Sequence, residues 1–445
     1  MLFRPPFQLT RFAFLLIAAA FGAIQPQGLA QTDVAMTNGL SLADTKQVAF
    51  ERNWDLLAAK SGIDAAQAQL IVAKEFPNPT AAVSTAKIGD SDAGTTLGNG
   101  VWSRNYDSIT AVSQLIEIGG KRHDRQLSAR AGVIGARAAF FDAKRLLDQG
   151  VTKAYVAAVL AGENARILNE SARMLRHEVE IAQARLKAGD ISDSDEKQIE
   201  INADQFELQA RSAAAAAIQA RISVEVLMGV NKPYGNWTPA DSLAGLVQPD
   251  STPPAITNVL KPEVARPDVL AADASLQNSR ANLKLQKADR IPDPTLSLGV
   301  EHEPPGGGPP VDTVNFGVSF PLPLWNWNRG NIQAAEAART QAEIALEKAK
   351  AEVMADIASA ENEHDEAFQR WQRYQIRTVP QSAKLRDSIA FAFEKGGASL
   401  VDLLEAERTD NDVRLAAEQA KADTASAVAD LKAATEVMNL TDVLP

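Results

Sequence analysis

The stretch FGVSFPLPLWNWNRGNIQAAEAA, residues 316–338, changes period partway along. Phe316, Val318 and Phe320 alternate with Gly317 and Ser319, the period of two expected of a strand with one apolar face. Pro321 and Pro323 then remove ladder donors, and Trp325 and Trp327 follow. From Asn331 to Val379 there is neither Gly nor Pro, and the run is rich in Ala, Glu and Lys, all strong helix formers. A strand therefore ends in a Pro/Trp cluster and passes at once into a very long helix.

Upstream of this stretch lies the other arm of a hairpin. Leu296, Leu298 and Val300 alternate with Thr295, Ser297, Gly299 and Glu301, and PPGGGPP (304–310) supplies the turn. Downstream, the helical stretch 328–395 reaches Gly396-Gly397, where the chain reverses into another helix. Residues 120–188 make a similar stretch ending at Gly189. At about 1.5 Å per residue such helices span about 100 Å, more than a compact domain uses.

The same order of features occurs twice. Residues 55–74 (DLLAAKSGIDAAQAQLIVAK) match 268–287 (DVLAADASLQNSRANLKLQK) at a constant offset, with Asp55/Asp268, Ala59/Ala272, Leu70/Leu283 and Lys74/Lys287 identical. PNPT at 77–80 matches PDPT at 292–295, Gly189 matches Gly396, and Asp195 matches Asp402. The long period indicates a duplicated, domain-sized unit and not a solenoid. Prolines are absent between Pro79 and Pro233 but crowd the stretch from Pro233 to Pro267. The expected organisation is a signal segment at 1–30 and a first repeat at 31–230, with its hairpin at 80–116 and helix turn near 189. An irregular connection at 231–267 follows, then a second repeat at 268–445, with its hairpin at 295–320 and turn near 396.

The first thirty residues carry Arg4 and Arg11, the apolar run FAFLLIAAAFGAI (12–24) and small residues before Gln31, the layout of a secretory signal. No later run of about 18 apolar residues suggests a spanning helix. The chain has no cysteine, which excludes disulfides, thiolate metal sites, a cysteine nucleophile and a lipid anchor on a mature N-terminal Cys. Net charge is −11, and −13 once the two signal arginines are subtracted, which argues against nucleic acid as a partner. No nucleophile elbow, P-loop or His-Glu-x-x-His occurs, so an enzyme is not expected.

Heptad-spaced rows run along the first long helix: Ile167, Met174, Ile181 and Ala188; Leu168, Leu175 and Ala182; Ala172, Val179 and Leu186. Several parallel rows suit a ring of helices, although a plain antiparallel coiled-coil hairpin carries similar ones. Two strands per repeat give four per chain, and a membrane barrel with a lumen needs at least eight. An open sheet edge cannot lie in lipid, so strands placed there must be shared between chains.

At this point the chain resembles the TolC-type outer-membrane efflux factors. The likeness rests on the two-fold repeat, the Pro-x-Pro before each hairpin and the helix turn KGGASLVDLLEAERT (395–409). VSQLIEIGGKRHDRQLSARA (112–131) and VSFPLPLWNWNRGNIQAAEAA (318–338) resemble the heavy-metal, CzcC-like branch. The resemblance implies a mainly α fold with a small β portion. Long antiparallel coiled-coil helices would form a periplasmic α-barrel. Four amphipathic strands per chain would join a shared twelve-stranded barrel in a homotrimer. It implies an outer-membrane duct without cofactor or resident metal, working with a periplasmic adaptor and an inner-membrane, proton-driven RND pump. The cargo would be heavy-metal cations such as cobalt, zinc, cadmium or nickel. A multidrug or type I secretion duct of the same fold, or a periplasmic coiled-coil scaffold or adhesin, are the alternatives.

By the same resemblance Asp402 and Glu405, and Asp195 at the first turn, would line a periplasmic constriction; exposed helix-end acids are the plainer reading. Gly189, Asp190, Gly396 and Gly397 at the turns would meet the adaptor. Trp325 and Trp327 fall where an aromatic belt would anchor the strand at the membrane interface, with core packing as the alternative. Pro380 marks a helix hinge or simple curvature. The cluster Glu301-His302-Glu303 is either a weakly cation-attracting mouth or a solvated loop end.

Overall fold

The computed structural model describes residues 39–86, 107–247, 265–303 and 311–438. The expected signal segment, the hairpin tips at 89–100 and 304–310, and the centre of the Pro-rich connection lie outside the described residues. In chain order the elements are α1 (Leu42–Arg52), α2 (Trp54–Lys74), β1 (Thr80–Ala86), β2 (Asp107–Leu115), α3 (Lys121–Ala188), α4 (Asp193–Leu227) and the short α5 (Leu243–Leu246). They continue with α6 (Pro267–Ala288), β3 (Thr295–Glu303), β4 (Val311–Ser319), α7 (Arg329–Arg373), a π-helical turn (Tyr374–Thr378), α8 (Val379–Glu394) and α9 (Leu400–Thr435).

The helical segment before the first hairpin is broken into α1 and α2. Asn53 interrupts it: its Oδ1 accepts from the backbone N–H of Asp55 and Leu56, and its Nδ2 donates to Leu227 O. The break lets the end of α4 close in so tightly that a Cβ on Gly229 would stand 2.3 Å from Arg52 O. Only glycine fits there, in its left-handed conformation (φ +72°).

α3 runs unbroken for 68 residues, about 100 Å. Leu168, Ala172, Leu175, Val179 and Ala182 are buried, alternating steps of four and three along one seam. The row of Ile167, Met174 and Ile181 behaves differently: Ile167 is buried, Met174 half-buried and Ile181 exposed. That face loses its cover toward the turn.

The second long helical stretch is interrupted close to Pro380. Val379 N–H donates to Tyr374 O, five residues back, making one π turn between α7 and α8. Pro380 explains it. Its ring would clash with the carbonyl four residues earlier and it offers no N–H. The wider turn carries the helix past the proline with helical backbone angles on both sides (φ −61° at Tyr374, φ −62° at Val379).

The main core lies around the middle of α3. Tyr155 and Trp237 stack with ring centroids 5.9 Å apart, packed by Val151, Val156, Val224 and Met228. Tyr155 Oη lies 2.7 Å from Leu40 O and 3.0 Å from Asp241 Oδ2, and burial pushes its phenol up to about 12. Leu40 is also bonded to Thr238 and Ala240, strapping the N-terminal segment to the connection between the repeats.

Candidate functional site

The four strands form one antiparallel sheet in the order β1-β2-β3-β4. Its register sorts side chains by face. Leu298 pairs with Phe316 and Val112, Leu296 with Val318, and Val300 with Val314. On the opposite face Ser297 pairs with Gly317 and Ser113, Thr295 with Ser319, and Gly299 with Asn315. Along β3 and β4 one face is thus aliphatic and aromatic and the other small and polar, the division a membrane wall around an aqueous lumen requires, while β2 is mixed, with Thr110 and Gln114 on the first face and Ile109 and Leu115 on the second. Within the chain β1 and β4 each keep one unpaired edge.

The Glu301-His302-Glu303 cluster is split by this alternation. His302 Nδ1 lies 2.7 Å from Asp312 Oδ1 across the hairpin, while Glu301 accepts from Asn315 Nδ2 at 3.0 Å on the other face. Among the described residues no group of three or more His, Asp or Glu side chains gathers as a metal site would require.

At the roots of the strands the two repeats interlock. Lys121, from IEIGGKR, bridges Asp293 of PDPT at 2.8 Å and donates to Ile291 O. Asp293 also accepts from Ile118 N–H, and Arg125 pairs with Glu117 at 2.6 Å. IEIGGKR and PDPT are therefore two halves of one joint. At this level Phe320, Leu322 and Leu324 are exposed, and Trp325 is 92% exposed, outside the core of the single chain. Trp327 is half-exposed with the Arg290 guanidinium 6.0 Å from its ring centroid.

The helix turns at the far end share one construction. Gly189 (φ +85°) and Gly396 (φ +77°) are left-handed. Asp190 N–H donates to Arg185 O and Gly397 N–H to Ala392 O, closing a Schellman motif at each turn. Three residues on, Ser192 and Ser399 cap α4 and α9 in capping boxes with Asp195 and Asp402 as the reciprocal partners. Both acids expected at the constriction thus hold a helix start as well. Asp402 is exposed, and its bonds to the Ser399 hydroxyl and N–H hold its carboxyl below the usual range. Glu405 is exposed one turn further along α9. Gly397 differs from Gly396 in having no left-handed backbone.

Above the second turn is a polar network that sequence reasoning missed. Asp410, 2% exposed, accepts from Ser382 Oγ at 2.8 Å and pairs with Arg386 at 2.7 Å. On the other side of α9, Asn411 Oδ1 accepts from Ser171 Oγ, and Arg414 bridges Glu170 at 2.8 Å. The signal was available: Asp410 sits seven residues after Leu403 and seven before Ala417, both buried, so it occupies a seam position.

Amphipathic hairpins rooted on helical shafts of this length define a membrane wall continued by a long helical conduit. The family model for outer membrane efflux proteins matches residues 46–230 and 263–436, and the chain belongs to that family. It is a channel component of the outer membrane and not an enzyme. The cobalt-zinc-cadmium resistance protein CzcC of Cupriavidus metallidurans is 24% identical over 376 residues, covering 83% of this chain and 84% of that one. The probable outer membrane lipoprotein SilC of Salmonella typhimurium is 22% identical over 377 residues, covering 81% and 78%. Among solved structures CusC shares the fold with a TM-score of 0.72 at 17% identity, covering 89% of this chain and 92% of that one.

Proposed function

We propose that three copies of the chain, each contributing the repeats 31–230 and 268–445, close one twelve-stranded barrel and one helical shaft. This duct is the outer-membrane exit of a tripartite, proton-driven RND efflux system carrying heavy-metal cations such as cobalt, zinc, cadmium or nickel. The observation that carries the reading is the sheet: the β3–β4 hairpin has one aliphatic and one small polar face, and the sheet keeps two unpaired edges. Unpaired backbone groups in hydrocarbon cost several kcal/mol each, so neighbouring copies must complete the ladder. Exposed Phe391, Ile376 and Leu385 on the second shaft supply surface for the same neighbours. The metal cargo rests on the likeness to CzcC.

Asp402 and Glu405, with Asp195 behind them, ring the periplasmic constriction as carboxylates that repel one another and attract cations. The turns at Gly189–Asp190 and Gly396–Gly397 meet the adaptor. Trp325 and Trp327 anchor the periplasmic interface of the barrel. The π turn before Pro380 is the place where the second shaft bends on opening.

Deletion of the gene should sensitise its host to at least one of these metals, and complementation should restore resistance; unchanged tolerance to all of them overturns the cargo. In planar bilayers Asp402→Ala with Glu405→Ala should raise single-channel conductance and weaken block by multivalent cations. Wild-type conductance and block would remove the constriction from these residues.

A further inference from the structure

At the strand roots two arginines stand over exposed aromatic rings. The Arg122 guanidinium is 3.8 Å from the centroid of Phe76, and that of Arg290 is 6.0 Å from the centroid of Trp327. The pairs occupy corresponding places in the two repeats with the partners exchanged. In the first repeat the aromatic residue lies on the segment entering the hairpin and the arginine on the segment leaving it; in the second the order is reversed. Register keeps the roots level, since Thr80 pairs with Ser113, Leu115 with Thr295 and Thr295 with Ser319. Both pairs therefore sit on one rim, immediately below the apolar wall.

Other cations of this rim are neutralised inside the chain, Lys121 by Asp293 and Arg125 by Glu117. Arg122 and Arg290 have no carboxylate partner among the described residues. Arg122 donates only to Lys74 O, a neutral acceptor, and Arg290 has only the indole face. Among the described residues the Arg290 guanidinium keeps both N–H edges free, while Arg122, whose Nε and Nη2 are taken by Lys74 O, keeps Nη1; a free guanidinium fork matches two oxygens of a phosphodiester.

We propose that Phe76–Arg122 and Arg290–Trp327 form a belt of headgroup sites for anionic phospholipid of the periplasmic leaflet. Each ring takes the glycerol and upper acyl level, and each guanidinium takes the phosphate. The occupant is lipid because exposed Phe320, Leu322, Leu324 and Trp325 lead from the aliphatic hairpin to Trp327, and Phe76 is exposed at the same level. This inference rests on the interfacial placement of Trp327.

The test uses the full-length trimer. Native mass spectrometry counts phospholipids retained after purification from vesicles of phosphatidylethanolamine with phosphatidylglycerol. The expected result is retained phosphatidylglycerol that falls about fivefold in affinity in Arg290→Gln, the loss expected of one basic residue at a membrane surface. Arg122→Gln joins it if the double variant still assembles. Arg290→Lys, which keeps the charge but not the fork, should retain less than wild type and more than the glutamine variant. Undiminished phosphatidylglycerol in Arg290→Gln overturns the site. Quenching of Trp327 fluorescence by brominated lipid reports the anchor separately, so the anchor can stand while the headgroup site fails.

Discussion

The two helical hairpins of this channel protein end alike and are built differently behind their ends. Each turns on a left-handed glycine inside a Schellman motif and restarts on a Ser-x-x-Asp capping box. Behind the first turn the seam is apolar: Leu175, Val179 and Ala182 pack on Ile199 and Ala203. Behind the second, α8 buries only Ser382 among its described side chains, and the seam is held by Ser382, Arg386 and Asp410. The first shaft is a continuous helix of 68 residues; the second has a π turn and a proline sixteen residues before Gly396. Apolar seams tolerate small slips because their contacts are non-directional. A charged, hydrogen-bonded seam has one register and loses much if shifted. The difference makes the second hairpin the one whose register is fixed by a polar lock.

The largest expected effect breaks that lock. Asp410→Ala leaves the Arg386 guanidinium without its buried partner and Ser382 Oγ with only Val379 O to donate to. Removing one member of a buried pair costs roughly 3–5 kcal/mol, toward the lower end here because Arg386 is partly solvated and keeps Asp387. The comparison residue in the first hairpin is Asp204, which pairs with Arg176 at 2.9 Å on an exposed face. Asp204→Ala should cost less than about 1 kcal/mol. Thermal melting of the purified trimer, with hydrogen exchange of 382–414 as the local reporter, checks both. Equal costs at the two sites would abolish the distinction between the shafts.

Much of this architecture is legible in the sequence. The change of period at Ser319–Arg329, the glycines at 189 and 396 and the Pro-x-Pro pairs are local signals with local physical causes, and the strands and helices begin and end close to them. Asn53 was not read as a break, because its reason is the distant close approach of Gly229 to Arg52 O. The π turn could not be read either: a helix meeting a proline can stop, kink or widen, and the sequence at 374–380 does not choose among them. Asp195 and Asp402 were read as pore acids from resemblance, although Ser-x-x-Asp before an apolar run was itself a capping signal. The Asp410 network needed the partner helix to be placed. Heptad position hinted at Asp410, but nothing local pointed to Ser382 or Arg386.

A smaller effect sharpens the same contrast through pH. Glu407 lies on α9 one turn before Asp410, and burial raises its carboxyl above the ordinary value, with Glu178, Asp410 and Asp387 adding to the rise and Arg386 opposing it. A folded-state value above the unfolded one means the fold favours the protonated acid. The associated stability is fully present below the unfolded value and is lost as pH rises through the folded value. Glu407→Gln should therefore stabilise the trimer at neutral pH and flatten the loss of stability expected of wild type as pH rises from the unfolded value through the raised folded one. Identical melting profiles for variant and wild type would mean that Glu407 meets water freely in the assembled shaft.

The smallest difference separates two adjacent glycines that look interchangeable in the sequence. A Cβ at Gly396 would touch nothing within 4 Å, so alanine there has no steric obstacle from the rest of the chain. Its cost is conformational, since φ is +77°, and left-handed backbone disfavours a residue with a Cβ by about 1–2 kcal/mol. Gly189, at φ +85° and equally open, should respond by the same amount. Gly397 has no positive φ, and a Cβ there would meet Ala392 O at 3.5 Å, an ordinary contact. Gly397→Ala should therefore change the local opening of the turn by less than about 0.5 kcal/mol. Limited proteolysis at the two turns orders the three variants. If Gly397→Ala loosens the second turn as much as Gly396→Ala does, the reversal depends on both glycines and the two turns are not built alike.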